Sequence, residues 1–436
     1  MQTLLDLFCD FIAVKSLSDD SFLVGGTVRD ILLDRATKDV DIALKGDAVD
    51  IGRSFADATG GSFILLDADF GFVRVVKNHE TIDICAMRGN SIMDDLADRD
   101  LTINAMAMPL SEINGRVFSQ TALAEIVIDP FNGMHDLKYR IIRMVSEANL
   151  ISDPLRLLRV YRFAATLNFT VEVHTSTAVR THASLISNTA VERIVEELRH
   201  ILIIDDSYSS IKEMDKDGLL QHLFPELTEF SPETWHLCRQ SYGYVEHIMR
   251  NLPLYFKSRS EQIWDYFAHG HRLFCLKLTT LFQNEEIAEK VVLRLKLSRR
   301  EVKFIRMISS SPEHISELDS GRKDVIIGTL RDFGEDIYAL LIYILAGTHI
   351  CQLSGNPLKS LAREIITIYQ DEFIPRQKKL PLINGNDLIE EFRLPPSPFF
   401  KHILSGVELL VLEGRVNLRE EALRVAGEMI KEGYHS

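Results

Sequence analysis

Hydrophobic and polar positions follow two rhythms along this chain. From Phe22 to about Leu110, short runs in which apolar and polar residues alternate are interleaved with helical stretches. A period of two is the mark of a strand with one buried face, and a period near 3.6 marks a helix. The pattern predicts a helix within residues 1–20 that ends near Ser18-Asp19-Asp20, then a strand at Phe22–Val24. A glycine pair, a helix containing Arg29, and a strand in KDVDIAL follow. A helix over 47–58, a strand at Phe63–Leu66 and a hairpin of FGFVRVVKN with ETIDICAM come next. The hairpin turns near His79-Glu80. TINAMAM reads as a helix or a buried strand, Asp129–Gly133 as a turn, and Arg140–Val145 as a strand. From residue 150 onward nearly everything is amphipathic helix. One such helix opens at Asp153, a plausible N-cap, with Pro154 at its first position and Leu155, Leu158 and Tyr161 as its buried stripe. Another follows Thr189…Glu192, a capping-box spacing. Proline marks a break at 395–398.

The alternation matters most in KDVDIAL. On that strand Asp39 and Asp41 share one face, while Val40, Ile42 and Leu44 share the other. Two neighbouring carboxylates repel each other unless a cation lies between them, and Mg²⁺, a hard ion that prefers oxygen ligands, suits the pair. Gly25 and Gly26, a glycine turn leading into a helix close to that pair, suggest chemistry on a nucleoside triphosphate. Asp83, flanked by Ile82 and Ile84, is a third candidate metal carboxylate. Its alternative is an exposed polar position on an edge strand. Arg156, Arg159 and Arg162 step by three along the later helix. Like charges at this spacing call for an anion, or for acids elsewhere in the fold.

Composition narrows this little. At 436 residues, 46% hydrophobic and 26% charged, the chain has room for several domains of ordinary globular make-up. A net charge of −14 argues against a protein coated in basic surface, but permits a local basic groove. Basic residues gather at Arg294–Arg306, including Arg299, Arg300 and Lys303, and at Arg376–Lys379, including Lys378 and Lys379. These are candidate contacts to a phosphate backbone, or equally ordinary charged faces. No apolar run is long enough to span a membrane, and the amphipathic N-terminus lacks the features of a signal peptide. Five scattered cysteines fit reduced thiols in a cytoplasm.

Read together, GGTVRD from Gly25, Asp39-Val40-Asp41, Arg99–Ala105 (RDLTINA), Asp129–Gly133 (DPFNG), Ser152–Phe163 (SDPLRLLRVYRF) and Glu192-Arg193-Ile194 stand in a recognisable order. The chain resembles the class II tRNA nucleotidyltransferase and bacterial poly(A) polymerase family of the polymerase β superfamily. The resemblance covers residues 20–200 well, and the rest only in helical character. It implies an α+β fold with a mixed-sheet catalytic head at 1–145, followed by an all-α neck (146–205), body (206–310) and tail (311–436). Carried over residue by residue, Asp39 and Asp41 bind the metal ions. Gly25, Gly26 and Arg29 face the triphosphate, and Arg99, Asp100 and Asn104 hold sugar and phosphates. Asp153 and Arg156 read the edge of the incoming base, with Arg159 and Arg162 adding charge. The partners implied are a tRNA 3′ end and CTP, with ATP as a further candidate; Mg²⁺ is the cofactor, and the state is monomer or dimer.

The chain also departs from the family pattern. Asp98 stands where an arginine is usual, Leu101 replaces a phenylalanine, and Ser152 replaces an acid, which puts the orientation of Asp153 and Arg156 in question. Only about fifteen residues separate ETIDIC from RDLTINA, where CCA-adding members carry a longer flexible loop. Its absence implies a CC-adding enzyme. The alternatives are a CCA-adding enzyme with a reduced loop, an A-adding enzyme, a poly(A) polymerase and, in another class, a non-catalytic RNA-binding protein. Where some members carry a His-Asp hydrolase motif, this chain reads Leu281-Phe282-Gln283-Asn284, near His269 and His271, so no phosphohydrolase activity is expected.

Overall fold

A computed structural model describes residues 3–433 except 36–38, 70, 114–122, 124, 269–270, 283, 311–317, 319–321 and 351–355. The chain forms two compact units, Met1–Pro225 and Glu226–Ser436. The mixed-sheet first part and helical remainder agree with the expected fold class.

The first unit is built on a six-stranded sheet. Helix α1 (Leu4–Val14) is closed by a Thr3/Asp6 capping box, shorter than its pattern suggested because a separate 3₁₀ turn takes Ser18–Asp20. Strand β1 (Ser21–Val24), helix α2 (Gly26–Leu32), strand β2 (Asp39–Leu44) and helix α3 (Ala48–Thr59) follow. Then come β3 (Ser62–Asp67), β4 (Phe72–Lys77), β5 (Glu80–Ala86), α4 (Ile92–Ala97) and β6 (Ala107–Pro109). The sheet order is β3-β4-β5-β2-β1-β6. Only the β2–β5 pair is parallel, so the sheet is mixed as expected. Asn78 and His79, both at positive φ, make the two-residue turn of the β4–β5 hairpin. Leu23, Ile42, Val73, Val75, Ile82 and Ile84 are fully buried and anchor the sheet. Each such side chain contributes about 1.5–3 kcal/mol on leaving water, and this is what fixes the opposite, charged face in place.

Several local expectations give way to tertiary context. TINAMAM is a single 3₁₀ turn at Thr102–Asn104 followed by β6. The strand expected over 140–145 shrinks to Ile141–Ile142, paired with Thr170–Val171. The helix expected to start at Asp153 spans Leu155–Leu167, with Pro154 flanking it and no side-chain cap. Asp153 instead closes the preceding Glu147–Ser152 helix. Leu155, Leu158 and Tyr161 are buried as expected. The Val191–Leu202 helix has Ala190 as its cap and no capping box, and the Thr189 hydroxyl is buried instead.

The second unit consists of helices. The Arg299–Ser309 helix starts at a Ser298/Glu301 capping box. Within it Arg299, Arg300 and Lys303 are exposed, as are Lys378 and Lys379 farther on. The neighbouring Arg294, Arg306 and Arg376 pair with Glu226, Glu289 and Glu372. His269 and Gln283 lie outside the described residues; Leu281 and Phe282 are buried. Among the described residues no helix is long and apolar enough to cross a membrane.

Candidate active site

A cavity of about 610 Å³ opens in the first unit. Of the residues singled out in sequence, Gly25, Gly26, Arg29, Asp41, Asp83, Arg99, Asp100, Asn104, Asp153, Arg156, Arg159 and Arg162 line it. Asp39 stands two residues before Asp41 on the same face of β2 and is exposed. Thr27 accepts the Asp41 N–H at 2.7 Å, tying α2 to β2. Gly25 turns the chain at φ 63°, and a β-carbon there would lie 2.6 Å from Arg99 Nη1. A β-carbon on Gly26 would touch Asp41 Oδ2 at 3.4 Å. The glycines therefore let a guanidinium and a carboxylate lie directly against the backbone.

The register sets Asp41 beside Asp83 across the parallel β2–β5 pair. Burial first, and then the Asp83 charge, push the Asp41 carboxyl up to about 6, against the pull of Arg99 and Arg29. A carboxylate held at such a disadvantage fits a hard divalent cation, which would relieve both effects. Asp83 does share the face of Asp39 and Asp41, on a central strand rather than an edge, and is buried. Its charge, however, is taken by Arg74 from the opposite strand at 2.7 and 2.8 Å. Among the described residues no group of three or more His, Cys, Asp or Glu side chains is arranged to hold a metal ion. The expected third metal carboxylate is thus a partner of arginine in this geometry.

A second set of charges runs through the cavity wall as a chain of bonds. Arg29 donates to Asn104 Oδ1 at 2.8 Å, and Asn104 donates to Asp100 at 3.1 Å. Arg159 donates to the other Asp100 oxygen at 2.7 Å and to Glu197 at 3.4 Å. Arg162 Nε lies 2.5 Å from Glu197, an ion pair without hydrogen-bond alignment. Burial alone would raise the Asp100 carboxyl, but Arg159, Asn104 and the Leu101 N–H outweigh it and hold the group down to about 2. The arginines that seemed to want an external anion therefore find protein acids for part of their charge. Phe163 adds to this, with Arg29, Arg159 and Arg162 within 5.2, 5.3 and 4.1 Å of its ring centre.

Asp153 and Arg156 sit at the remaining side of the cavity. Arg193 grips Asp153 at 3.0 and 3.2 Å, and Arg156 donates to the Asn149 carbonyl at 3.3 Å. Burial and nearby Arg88 and Arg159 lower the Arg156 guanidinium below its usual value, despite Asp100 and Asp153. The orientation that Ser152 put in question is supplied by Arg193. Sequence reasoning missed Arg74, Asp95, Arg193 and Glu197. Of these, Arg74 was legible, since a hairpin turning at Asn78-His79 sets it opposite Asp83.

The segment between β5 and Arg99 is short and folded. Gly89 turns it, Ser91 and Asp94 form a capping box for α4, and Leu96 is fully buried. Asn149 donates to the carbonyls of Ala97 and Arg99 at 2.6 and 2.7 Å, fastening its end. Leu101, in place of the usual phenylalanine, is fully buried, while Asp98 is exposed at the cavity rim.

Comparison with known proteins gives the family and the fold. Residues 21–143 match the model of the poly A polymerase head domain. Residues 168–231 match a probable RNA and SrmB-binding site of polymerase A, and 267–426 match tRNA nucleotidyltransferase domain 2. A CC-adding tRNA nucleotidyltransferase from Synechocystis sp. is 30% identical over 95% of this chain and 95% of its own length. An A-adding relative from Halalkalibacterium halodurans is 27% identical over 93% of this chain and 88% of its own. The Thermotoga maritima CCA-adding enzyme complexed with tRNA superposes at TM-score 0.70, 25% identical, over 98% of this chain and 95% of that one. A CCA-adding enzyme with ATP superposes at TM-score 0.72, also 25% identical, over the same shares. The chain belongs to the class II tRNA nucleotidyltransferase family and is a nucleotidyltransferase.

Proposed function

We propose that this protein extends the 3′ end of tRNA by two cytidylates, taken from CTP without a nucleic-acid template. The observation that carries the reading is the short segment Met87–Asp98, which closes on itself through a capped helix and a buried leucine; the family resemblance implies a longer loop here in CCA-adding members. The CC-adding relative from Synechocystis sp., 30% identical over 95% of this chain, supports it by its identity, whereas its overlap is shared by relatives named A-adding and CCA-adding.

In this reading the primer 3′-hydroxyl attacks the α-phosphorus of CTP, and pyrophosphate leaves. Asp39 and Asp41 would hold Mg²⁺, and the chemistry the ion would supply there is a lower pKa for the attacking hydroxyl and charge neutralisation for the leaving oxygens. Gly25 and Gly26 let the triphosphate approach the backbone, and Arg29 and Arg99 balance its charge. Asp100 and Asn104 orient the sugar, with Asp100 fixed by Arg159. Asp153 accepts from the exocyclic amine of the base, and Arg156 donates to its ring acceptor. On the Watson–Crick edge cytosine and adenine both offer an amine beside a ring acceptor, whereas uracil has no amine and the guanine amine stands beside an N–H donor, so the pair rejects the latter two. Arg162 adds positive charge behind this wall. Arg299, Arg300, Lys303, Lys378 and Lys379, all exposed, contact the tRNA backbone. The head, neck, body and tail divisions at 145, 205 and 310 belong to the same reading.

The test uses tRNA transcripts ending before CCA, after C and after CC, each with CTP, ATP or both. A CC-adding enzyme stops after two C residues with ATP present. Addition of a terminal A would favour a CCA- or A-adding enzyme, and long A tails on unrelated RNA a poly(A) polymerase. No incorporation on any RNA would favour a binding protein.

A further inference from the structure

The Arg99 guanidinium lies across Gly25 with only its Nη1 side toward that turn, close enough that a single added carbon would collide with it. Its other side is taken. Asp95 Oδ2 accepts from Arg99 Nε at 3.1 Å and from Nη2 at 2.9 Å. The second Asp95 oxygen accepts the Arg88 N–H at 3.2 Å, at the start of the same segment. Asp95 is 4% exposed, one residue from fully buried Leu96. A guanidinium free to rotate presents its donors in many directions, and one gripped along its Nε–Nη2 edge presents the remaining edge in one. Both Asp95 and Arg99 line the cavity.

We propose that Asp95 is a positioning residue for the nucleotide. It holds Arg99 against Gly25 so that the remaining donors face the triphosphate, and it couples them to the folded segment Arg88–Ala97. The idea rests on the reading of the cavity as an NTP site, not on how many nucleotides are added. Because the contact is made to phosphate rather than base, it acts alike on any nucleotide the site accepts. The segment Arg88–Ala97 and the arginine that grips the triphosphate are thereby one mechanical unit.

The test is Asp95→Asn, which keeps an oxygen for the Arg88 N–H and removes the charge that faces Arg99. KM for CTP is expected to rise about tenfold while kcat stays within about threefold. Inhibition by pyrophosphate should weaken in parallel, and KM for the tRNA transcript should stay within about twofold. In the Arg99→Lys background the same change should add little further increase, since the Nε–Nη2 edge that Asp95 grips is gone. Asp95→Glu keeps the charge and should bind CTP within about threefold of wild type. The proposal is overturned by an unchanged KM in Asp95→Asn, by full additivity with Arg99→Lys, or by a Glu variant as weak as the Asn one. It is overturned equally if kcat, tRNA affinity and melting temperature fall together with no selective loss of CTP. If the wild type adds a terminal A, the two-cytidylate reading fails and these CTP measurements still decide the role of Asp95.

Discussion

Two aspartates in the same cavity, Asp41 half-buried and Asp100 buried, are treated in opposite ways. Asp41 on β2 is driven up to about 6, by burial and by Asp83. Asp100, no less buried, is held down to about 2 because Arg159, Asn104 and the Leu101 N–H outweigh its burial. The difference lies in who answers the charge. Asp100 is answered within the chain, so its carboxylate is held in place in the wall of the cavity. Asp41 faces other acids and is answered only at a distance, which is the condition of a group built to meet a cation. Burial of a carboxylate is therefore no guide to its role until its partners are counted.

The sharpest way to break this comparison is to neutralise each acid in turn. Asp41→Asn is expected to lower kcat for Mg²⁺-dependent CTP incorporation about a thousandfold, measured in single turnover on a tRNA transcript. An enzyme that keeps its wild-type rate would remove Asp41 from the reaction. Asp100→Asn should cost about 3 kcal/mol in urea unfolding, since it leaves the half-buried Arg159 guanidinium short of its partner, and should also slow CTP incorporation through the lost sugar contact. A change under about 1 kcal/mol would mean that the Arg159 contact contributes little.

The pH dependence sharpens the same point. Asp100 titrates below its ordinary value near 3.9, so its contribution is complete above that value and is lost as pH falls from about 4 toward 2. The stability gap between wild type and Asp100→Asn should be constant above pH about 5 and narrow below about 4, by roughly 2 kcal/mol in all. A gap that widens on acidification would reverse the assignment. Gly25→Ala is the mildest test. An alanine at φ 63° is strained by about 1 kcal/mol and displaces Arg99, so KM for CTP should rise about fivefold with a smaller loss in kcat.

What was legible in the sequence was what neighbours along the chain decide. The alternation in Asp39–Leu44 placed two carboxylates on one face and a buried stripe on the other, and β2 has this form. Strand pattern and the head and neck motifs, read through a family resemblance, named half of the residues that line the cavity. The counter-charges were not legible in the same way. Glu197 answers Arg159 from 38 positions away and Arg193 answers Asp153 from 40, because helix packing rather than local spacing brings them together. The helix starts failed for a related reason. Asp153 and Thr189 have capping chemistry, but Asp153 is claimed by Arg193 and the chain enters the next helix through Pro154. Local propensity offered a cap, and a tertiary ion pair took the residue.

The contrast between the two aspartates is tested most directly by melting wild type and Asp41→Asn at fixed CTP while Mg²⁺ is titrated. Without Mg²⁺, Asp41→Asn should melt at the same temperature as wild type or higher, because a mutually repelling half-buried charge has been removed. Added Mg²⁺ should raise the wild-type midpoint and leave that of the variant nearly still. An Asp41→Asn protein that melts lower than wild type and gains as much from Mg²⁺ would contradict the account.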